Sequence, residues 1–237
     1  MYYEGDRGNL TEGRPSITQG SAMNLEQIIG AIMKKPTQSA DRLKALADFV
    51  VDQLKDNGLP GALGGTAGEL RVSGLAREKT WDVAYEFAGK FRLLISLKSL
   101  WKNASGTIPN RLDDHMGEIA NIQQLRPEIV IGYIVIFDVR ADSRRQDGTT
   151  WSEYFEQALR KIAIRRAPLW NQGLLEGFWF IRIDSQKPTG RRVINPDQVA
   201  AQGTLFFDAL LSELRLREPA IPFDESRLPS SRKQIHE

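Results

Sequence analysis

Residues 81–98 have the sequence WDVAYEFAGKFRLLISLK, which predicts a β-hairpin. Its strands are expected at 81–87 and 91–97, with Ala88-Gly89-Lys90 as the turn between them. The second strand is mostly apolar, as expected for a strand that is buried on both faces of a sheet. Because adjacent strands lie about 4.8 Å apart, the hairpin brings Asp82 on its first strand towards Lys98 at the end of its second strand.

Around the hairpin, apolar periodicity and turn residues predict a succession of helices and strands. A helix begins after Asn24, whose spacing to Gln27 predicts a capping box, and Thr150 with Glu153 predicts another. The remaining elements are predicted as helices at 41–54, 110–125 and 204–214 and strands at 129–137 and 178–183, with irregular segments at 61–79 and 99–109. This order predicts one α/β domain over residues 24–218, with a mixed β-sheet flanked by helices. Residues 1–23 are expected to form a flexible arm, and residues 219–237 a disordered tail.

Composition narrows the chemistry. The 237-residue chain has no cysteine and only two histidines, His115 and His236, which excludes disulfides, thiolate zinc sites and a multi-histidine metal cage within one chain. A divalent metal would therefore bind mainly oxygen ligands, which favours Mg²⁺. No run approaches the roughly 20 apolar residues of a membrane span, and the first residues do not resemble a secretion signal. The absence of cysteine leads us to expect a protein of the reducing cytoplasm. The net charge of +2 is compatible with a nucleic-acid partner but does not indicate one.

Asp82 and Lys98 form the candidate catalytic pair. A carboxylate can hold Mg²⁺ against a phosphodiester, and the metal can acidify a bound water. A neighbouring ammonium can orient that water and offset the charge that accumulates on phosphorus. An acid that opens a strand and a lysine that closes one are also common as solvated surface residues, so their spacing alone leaves both interpretations open.

Four blocks of sequence resemble XhoI-type restriction endonucleases of the PD-(D/E)xK nuclease superfamily. These blocks are Gly74-Leu75-Ala76-Arg77-Glu78-Lys79-Thr80-Trp81-Asp82, then Leu97-Lys98-Ser99 followed by residues 108–117, then residues 131–137, and finally residues 151–166. The resemblance covers roughly residues 60–185. It implies a restriction-endonuclease-like fold and Mg²⁺-dependent, site-specific hydrolysis of double-stranded DNA by a homodimer, as in type II restriction enzymes of restriction-modification systems.

The chain departs from the family pattern at Ser96, where the family has its second acid. A hydroxyl carries no charge, so one carboxylate of the resemblance is missing. Some restriction endonucleases with this pattern take the acid from the following helix, which makes Asp113 or Asp114 the favoured replacement for a metal ligand. Glu118 and Glu69 are further candidates, and the backbone carbonyl of Leu97 is a metal ligand by the same resemblance. Acids near a helix start also interact favourably with the helix dipole, which accounts for at least one of these residues without any catalytic role.

Candidate DNA contacts follow the lysine strand and precede the first acid. Arginine and lysine suit guanine edges and asparagine suits adenine, although each such residue is individually more often an ordinary surface residue. The candidates are Arg77, Lys79, Lys102, Asn103, Ser105, Thr107, Asn110 and Arg111. A second basic cluster, Arg160, Lys161, Arg165 and Arg166, is predicted to be a solvated helix face.

Two rival interpretations keep part of this picture. One is a DNA-binding protein on the same fold that no longer cleaves, as the loss at Ser96 would allow. The other is a repair nuclease that recognises DNA structure rather than sequence.

Overall fold

The structure is a computed structural model, and it describes residues 24–227 except 37–38, 69, 169 and 171. The predicted arm at 1–23 lies outside the described residues. The helices are α1 (Leu25–Met33), α2 (Lys44–Asp56), α3 (Ala104–Gln123), α4 (Trp151–Ile162) and α5 (Pro196–Arg217). The strands are β1 (Leu63–Gly64), β2 (Leu70–Ser73), β3 (Glu78–Trp81), β4 (Val83–Phe87), β5 (Lys90–Leu100), β6 (Val130–Asp138) and β7 (Gly177–Ile183).

Five strands form the main sheet, in the order β1-β4-β5-β6-β7. β4 and β5 form the predicted antiparallel hairpin, whereas β5, β6 and β7 run parallel to one another. The parallel steps require crossovers, which contain α3 between β5 and β6 and α4 between β6 and β7. The predicted α/β architecture with a mixed sheet flanked by helices is therefore confirmed.

The sheet lies between two helical layers because its strands alternate their side chains between two apolar cores. Leu93, Ile95 and Leu97 of β5 belong to the core that includes α1, α2 and α5. Leu94 and Leu100 belong to the opposite core, which includes α3 and α4. β6 is buried along its whole length, as the sequence predicts for a central strand.

The segment predicted as irregular, residues 61–79, contains two short strands and the start of a third. β1 adds to the edge of the main sheet beside β4, and β2 pairs with β3 in a separate two-stranded sheet. The predicted strand at 81–87 is consequently split, because Trp81 ends β3 while Val83 begins β4. The prediction missed these strands because they are two to four residues long and lie in a glycine-rich segment.

The predicted loop at 99–109 is also wrong. β5 continues to Leu100, and α3 begins at Ala104, with the side chain of Asn103 capping it by accepting from the Gly106 N–H at 3.2 Å. The predicted loop ends at Pro109, but this proline lies inside α3. Because proline has no N–H, the Ser105 carbonyl loses its hydrogen bond within the helix. Ser105 is exposed, so water can hydrate this carbonyl.

The helix ends agree with the sequence where capping residues are present. Both predicted capping boxes form, at Asn24 with Gln27 and at Thr150 with Glu153. α5 begins at Pro196, well before the predicted start at residue 204.

The predicted disordered tail is wrong for its first residues. Ile221 is only 4% exposed, and the Asp224 N–H donates to the Gly58 carbonyl at 2.8 Å. Residues 228–237 lie outside the described part of the chain. Across the described residues, none of the helices is both long enough and apolar enough to cross a membrane.

Candidate active site at the end of the hairpin

Asp82 is held against the second strand of the hairpin. The last paired residues of β4 and β5 at this end are Val83 and Ile95, so the backbone of β4 does not reach the next N–H of β5. The Asp82 side chain takes its place, because Oδ2 accepts a 2.7 Å hydrogen bond from the Leu97 N–H. The half-buried carboxylate therefore lies beside the residue that precedes Lys98, as the hairpin predicts.

Lys98 and Ser96 lie on the side of the sheet that faces α3. In the parallel register Ser96 is paired with Tyr133 and Lys98 with Val135, and both partners belong to the core on the α3 side. Ser96 is buried, whereas Lys98 is half-buried nearer the end of the strand. Ser96 thus occupies an interior position, and the cationic group lies closer to the surface.

Glu118 is the acid of α3 that reaches this region. Lys79 Nζ of β3 lies 2.5 Å from Glu118 Oε1, and both side chains are largely buried. Burial is the main cause of the raised pKa of Tyr133, and the charges of Arg111, Glu118 and Asp82 also act on that hydroxyl. Asp82 and Glu118 therefore both act electrostatically on the same buried phenol.

The two acids favoured from the sequence lie elsewhere on α3. Asp113 and Asp114 are exposed, while their neighbours Leu112 and His115 occupy the buried face of the helix. Glu118, which the sequence analysis ranked behind them, is instead the acid of α3 that is turned towards the sheets, where it pairs with Lys79 of β3. Glu69 lies outside the described residues.

His115 and Tyr133 were not predicted as part of the site. Their rings stack with centroids 3.7 Å apart, and the side chains are 2% and 0% exposed. Within the described part of the structure, neither ring nitrogen of His115 nor the Tyr133 hydroxyl has a hydrogen-bond partner. Burial lowers the pKa of His115 to about 3, and the charge of Lys98 contributes to this shift. The available signal was a histidine at a core position of α3, between Leu112 and Ile119.

Asp82 is reached from the surface through an open pocket of about 210 Å³. The start of α2 and the connection between β1 and β2 form its other walls, and Lys44, Gly65 and Gly68 are among the lining residues. Gly65 has φ +58°, and a Cβ there would overlap the side chain of Asp48. A glycine is thus required where this connection passes α2.

Most of the predicted DNA-contacting residues are exposed near the site. Arg77, Lys102, Asn103, Ser105, Asn110 and Arg111 are exposed, and Thr107 is half-buried. Lys79 differs from the prediction of a phosphate contact, because it is paired with Glu118. Asn103 to Thr107 belong to the start of α3 rather than to a loop.

The turn that carries Arg77 is fixed to α3 by one side chain. Asn121 Oδ1 accepts from the Ala76 N–H at 2.7 Å, and Asn121 Nδ2 donates to the Arg77 carbonyl at 2.9 Å. Gly74 lies so close to Asn121 that it has no room for a Cβ. Arg77 is therefore presented from a defined position beside α3.

The second basic cluster is not a uniformly solvated face. Arg165 is buried and lies 2.6 Å from Glu176, which also pairs with Arg217 at 2.7 Å. Glu176 Oε2 accepts from the Ile131 N–H at 2.6 Å, and Glu213 pairs with Arg217 at 3.0 Å. This buried network ties α5 and the start of β7 to the start of β6, and is called the Glu176 network below.

The donor set suits a metal that is only partly enclosed by protein. In the described ranges, no group of three or more Asp, Glu or His side chains is arranged to hold an ion. The charges of Asp82 and Glu118 both act on the Tyr133 hydroxyl, and Mg²⁺ commonly uses one or two carboxylates while waters and substrate phosphates complete its shell. Asp82 at the pocket and Glu118 on α3 would thus suit Mg²⁺ shared with a phosphate better than a fully protein-bound ion.

Comparisons of the chain with protein-family models, with curated protein sequences and with solved structures give no match. What the protein does must therefore be inferred from the site itself.

Proposed function

We propose that this protein is a Mg²⁺-dependent endonuclease that hydrolyses phosphodiester bonds of double-stranded DNA. The observation that carries the proposal is the hydrogen bond from the Leu97 N–H to Asp82, which holds a carboxylate of an open pocket against the residue that precedes Lys98. An acid just before β4 and a lysine near the end of β5, at the same end of the hairpin, suit attack of water on a phosphodiester.

Asp82 and Glu118 would hold the metal, and the Leu97 carbonyl is a third candidate ligand. When bound, Mg²⁺ would acidify a water molecule and neutralise phosphate charge. Lys98 would orient the attacking water and stabilise the negative charge that develops in the transition state. Ser96 is buried and uncharged, so Glu118 would take the role of the missing acid.

The exposed cations around the site supply the contact to DNA. Arg77 is fixed on its turn by Asn121, Lys102 precedes α3, and Arg111 is exposed within α3. Such side chains contact phosphates or guanine edges. We further propose that cleavage is site-specific and that the enzyme is a homodimer, because two-fold symmetric duplex sites are matched by two-fold symmetric proteins.

The test is cleavage of supercoiled plasmid and of branched DNA with Mg²⁺ or with EDTA, followed by sequencing of the ends. Ends at one short sequence support a site-specific endonuclease. Ends confined to branch points indicate a structure-specific nuclease. Salt-sensitive binding without cleavage indicates a DNA-binding protein on the same fold. Cleavage that survives EDTA or the Asp82→Asn substitution contradicts the proposal, and Asp113→Asn is the matched control for removal of a carboxylate.

A further inference from the structure

Two polar side chains occupy core positions directly beneath the proposed site. His115 belongs to the buried stripe of α3 with Ile108, Leu112 and Ile119, and Tyr133 lies in the middle of the central strand β6. An apolar residue at either position would avoid burying polar atoms that lack partners. A purely structural role therefore does not account for histidine and tyrosine at these two positions.

The charged groups around the two rings are those of the proposed site. The charge of Lys98 acts on His115, and the charges of Arg111, Glu118 and Asp82 act on the Tyr133 hydroxyl. The register places Tyr133 opposite Ser96, two residues before Lys98 and on the same side of the sheet. The stacked pair therefore lies on the side of the sheet that carries Ser96 and Lys98, and both of its rings are within the electrostatic influence of the site.

Burial keeps both groups uncharged. His115 stays neutral down to about pH 3, so one ring nitrogen remains an acceptor and the other a donor. Tyr133 keeps its proton because burial raises its pKa, so its hydroxyl remains a donor. Glu118 uses Oε1 for Lys79, which leaves Oε2 for another donor.

We propose that His115 and Tyr133 are positioning residues for the reaction. The neutral imidazole accepts a hydrogen bond from the Lys98 ammonium, which reaches it by rotation about the four-carbon stem of the lysine. The Tyr133 hydroxyl donates to Glu118 Oε2, so that the carboxylate is held between Lys79 and Tyr133. This inference rests on the proposed function, since the groups that it positions are the proposed lysine and second acid.

The first test detects the contact between His115 and Lys98 by NMR and does not require an activity assay. The chain has only two histidines, so ¹⁵N spectra of the imidazoles, with His236→Gln for assignment, isolate the signals of His115. We expect the Lys98→Met substitution to shift the unprotonated ring nitrogen of His115, because it loses its donor. An unchanged His115 spectrum overturns the contact with Lys98.

The second test compares the unfolding midpoint with the cleavage rate of the same variant. Tyr133→Phe removes only the hydroxyl, and we expect the same or a higher unfolding midpoint with kcat lowered about 10-fold or more, and a higher Mg²⁺ concentration for half-maximal rate. Tyr85→Phe, a buried tyrosine in the opposite core, is the matched control and should leave both unchanged. A Tyr133→Phe rate within twofold of wild type overturns the role of Tyr133.

Two substitutions of His115 should rank in one order for stability and in the opposite order for activity. His115→Leu should be the more stable variant, because it completes the apolar stripe, whereas His115→Gln should be the more active because it keeps an acceptor for Lys98. If Leu is as active as Gln, the role of His115 is overturned. If the wild-type protein does not cleave DNA and the His115 signal still responds to Lys98→Met, the nuclease proposal fails while the His115–Lys98 contact stands.

Discussion

The Glu176 network and the Asp82 site are both polar clusters packed against β6, and they satisfy their polar atoms to very different extents. Both oxygens of Glu176 are hydrogen-bonded, and the two arginines also bond the Ile129 carbonyl. Arg217 Nε is the one side-chain atom of its four charged residues that is buried without a partner in the described part of the chain. The charges are balanced, with two arginines and two glutamates, and all four side chains are at most 7% exposed.

The Asp82 site is built differently. Asp82 is half-buried at a surface pocket, and Lys98 is half-exposed, whereas His115 and Tyr133 beneath them have three buried polar atoms without partners among the described residues. Satisfied buried charges hold a fold together, while a polar group left without a partner needs a further explanation, of which a catalytic role is one. We therefore associate the Glu176 network with stability and the Asp82 site with function.

The largest expected effect is the loss of cleavage on Asp82→Asn. The amide keeps an oxygen for the Leu97 N–H, so the fold and its unfolding free energy should be nearly unchanged. The loss of charge removes a metal ligand, and we expect cleavage to fall by about 10³-fold or more. The measurements are single-turnover cleavage and denaturant unfolding of the same preparation. A folded Asp82→Asn protein that cuts at a near-normal rate would falsify the site assignment.

The Glu176 network should respond in the opposite way. Glu176→Gln leaves two buried arginines against one remaining glutamate, and breaking a buried pair costs about 3–5 kcal/mol. We expect a loss of unfolding free energy in this range, measured by urea titration, with the cleavage rate per folded molecule retained. Arg160→Gln is the control, because it removes an exposed i,i+4 pair with Glu156 and should change stability by about 0.5 kcal/mol or less. If Glu176→Gln and Arg160→Gln lowered the unfolding free energy equally, the Glu176 network would contribute no more stability than a surface ion pair.

How far the sequence predicts these two regions depends on the separation of the residues involved. The hairpin and both capping boxes are local, and the convergence of Asp82 with the strand of Lys98 follows from hairpin pairing. Glu118 and Lys79 are 39 residues apart, and their contact depends on how α3 rotates against the sheet. Periodicity gives the buried face of a helix, but it does not show which residue of the sheet that face meets.

Arg165 shows the same limit in the other region. It follows two exposed or half-exposed residues after α4, and its sequence neighbours suggest a basic surface. Arg165 is buried where it pairs with Glu176, which directly precedes β7. Glu176 also pairs with Arg217 at the end of α5. Long-range charge pairing of this kind leaves no local pattern to recognise.

Lys98→Ala should lower the cleavage rate by at least about 10²-fold, a typical contribution of a group that assists proton transfer or water positioning. Stability should change little, because Lys98 is half-exposed at the strand end. Lys98→Arg should restore only part of the rate, since a planar fork cannot replace a point charge. Pre-steady-state cleavage separates the two variants, and a Lys98→Ala rate within a few-fold of wild type would show that this lysine is an ordinary surface residue.

Acid should destabilise the Asp82 site through His115. The pKa of His115 is about 3 in the fold and near 6.5 when unfolded, so the unfolded chain binds more protons between these values. Its stability contribution is complete above about pH 6.5 and is lost as the pH falls towards 3, by at most about 1.4 kcal/mol per pH unit. Urea titrations of wild type and His115→Leu at several pH values should show a shallower decline in the variant. Parallel declines would contradict burial of a neutral His115.

The smallest expected effects are those of Asp113→Ala and Asp114→Ala, and they decide which acid of α3 belongs to the site. Both residues are exposed, so each change should cost about 1 kcal/mol or less and leave cleavage within a few-fold of wild type. Glu118→Gln, the matched change on the buried side of the same helix, should impair cleavage nearly as severely as Asp82→Asn. Because the Glu118 carboxylate also pairs with Lys79, the double change Lys79→Met with Glu118→Gln separates loss of the ion pair from loss of the charge. Should either exposed aspartate prove essential while Glu118→Gln cuts normally, the second acid lies on the outer face of α3, and the orientation of this helix relative to the metal would have to be reassigned.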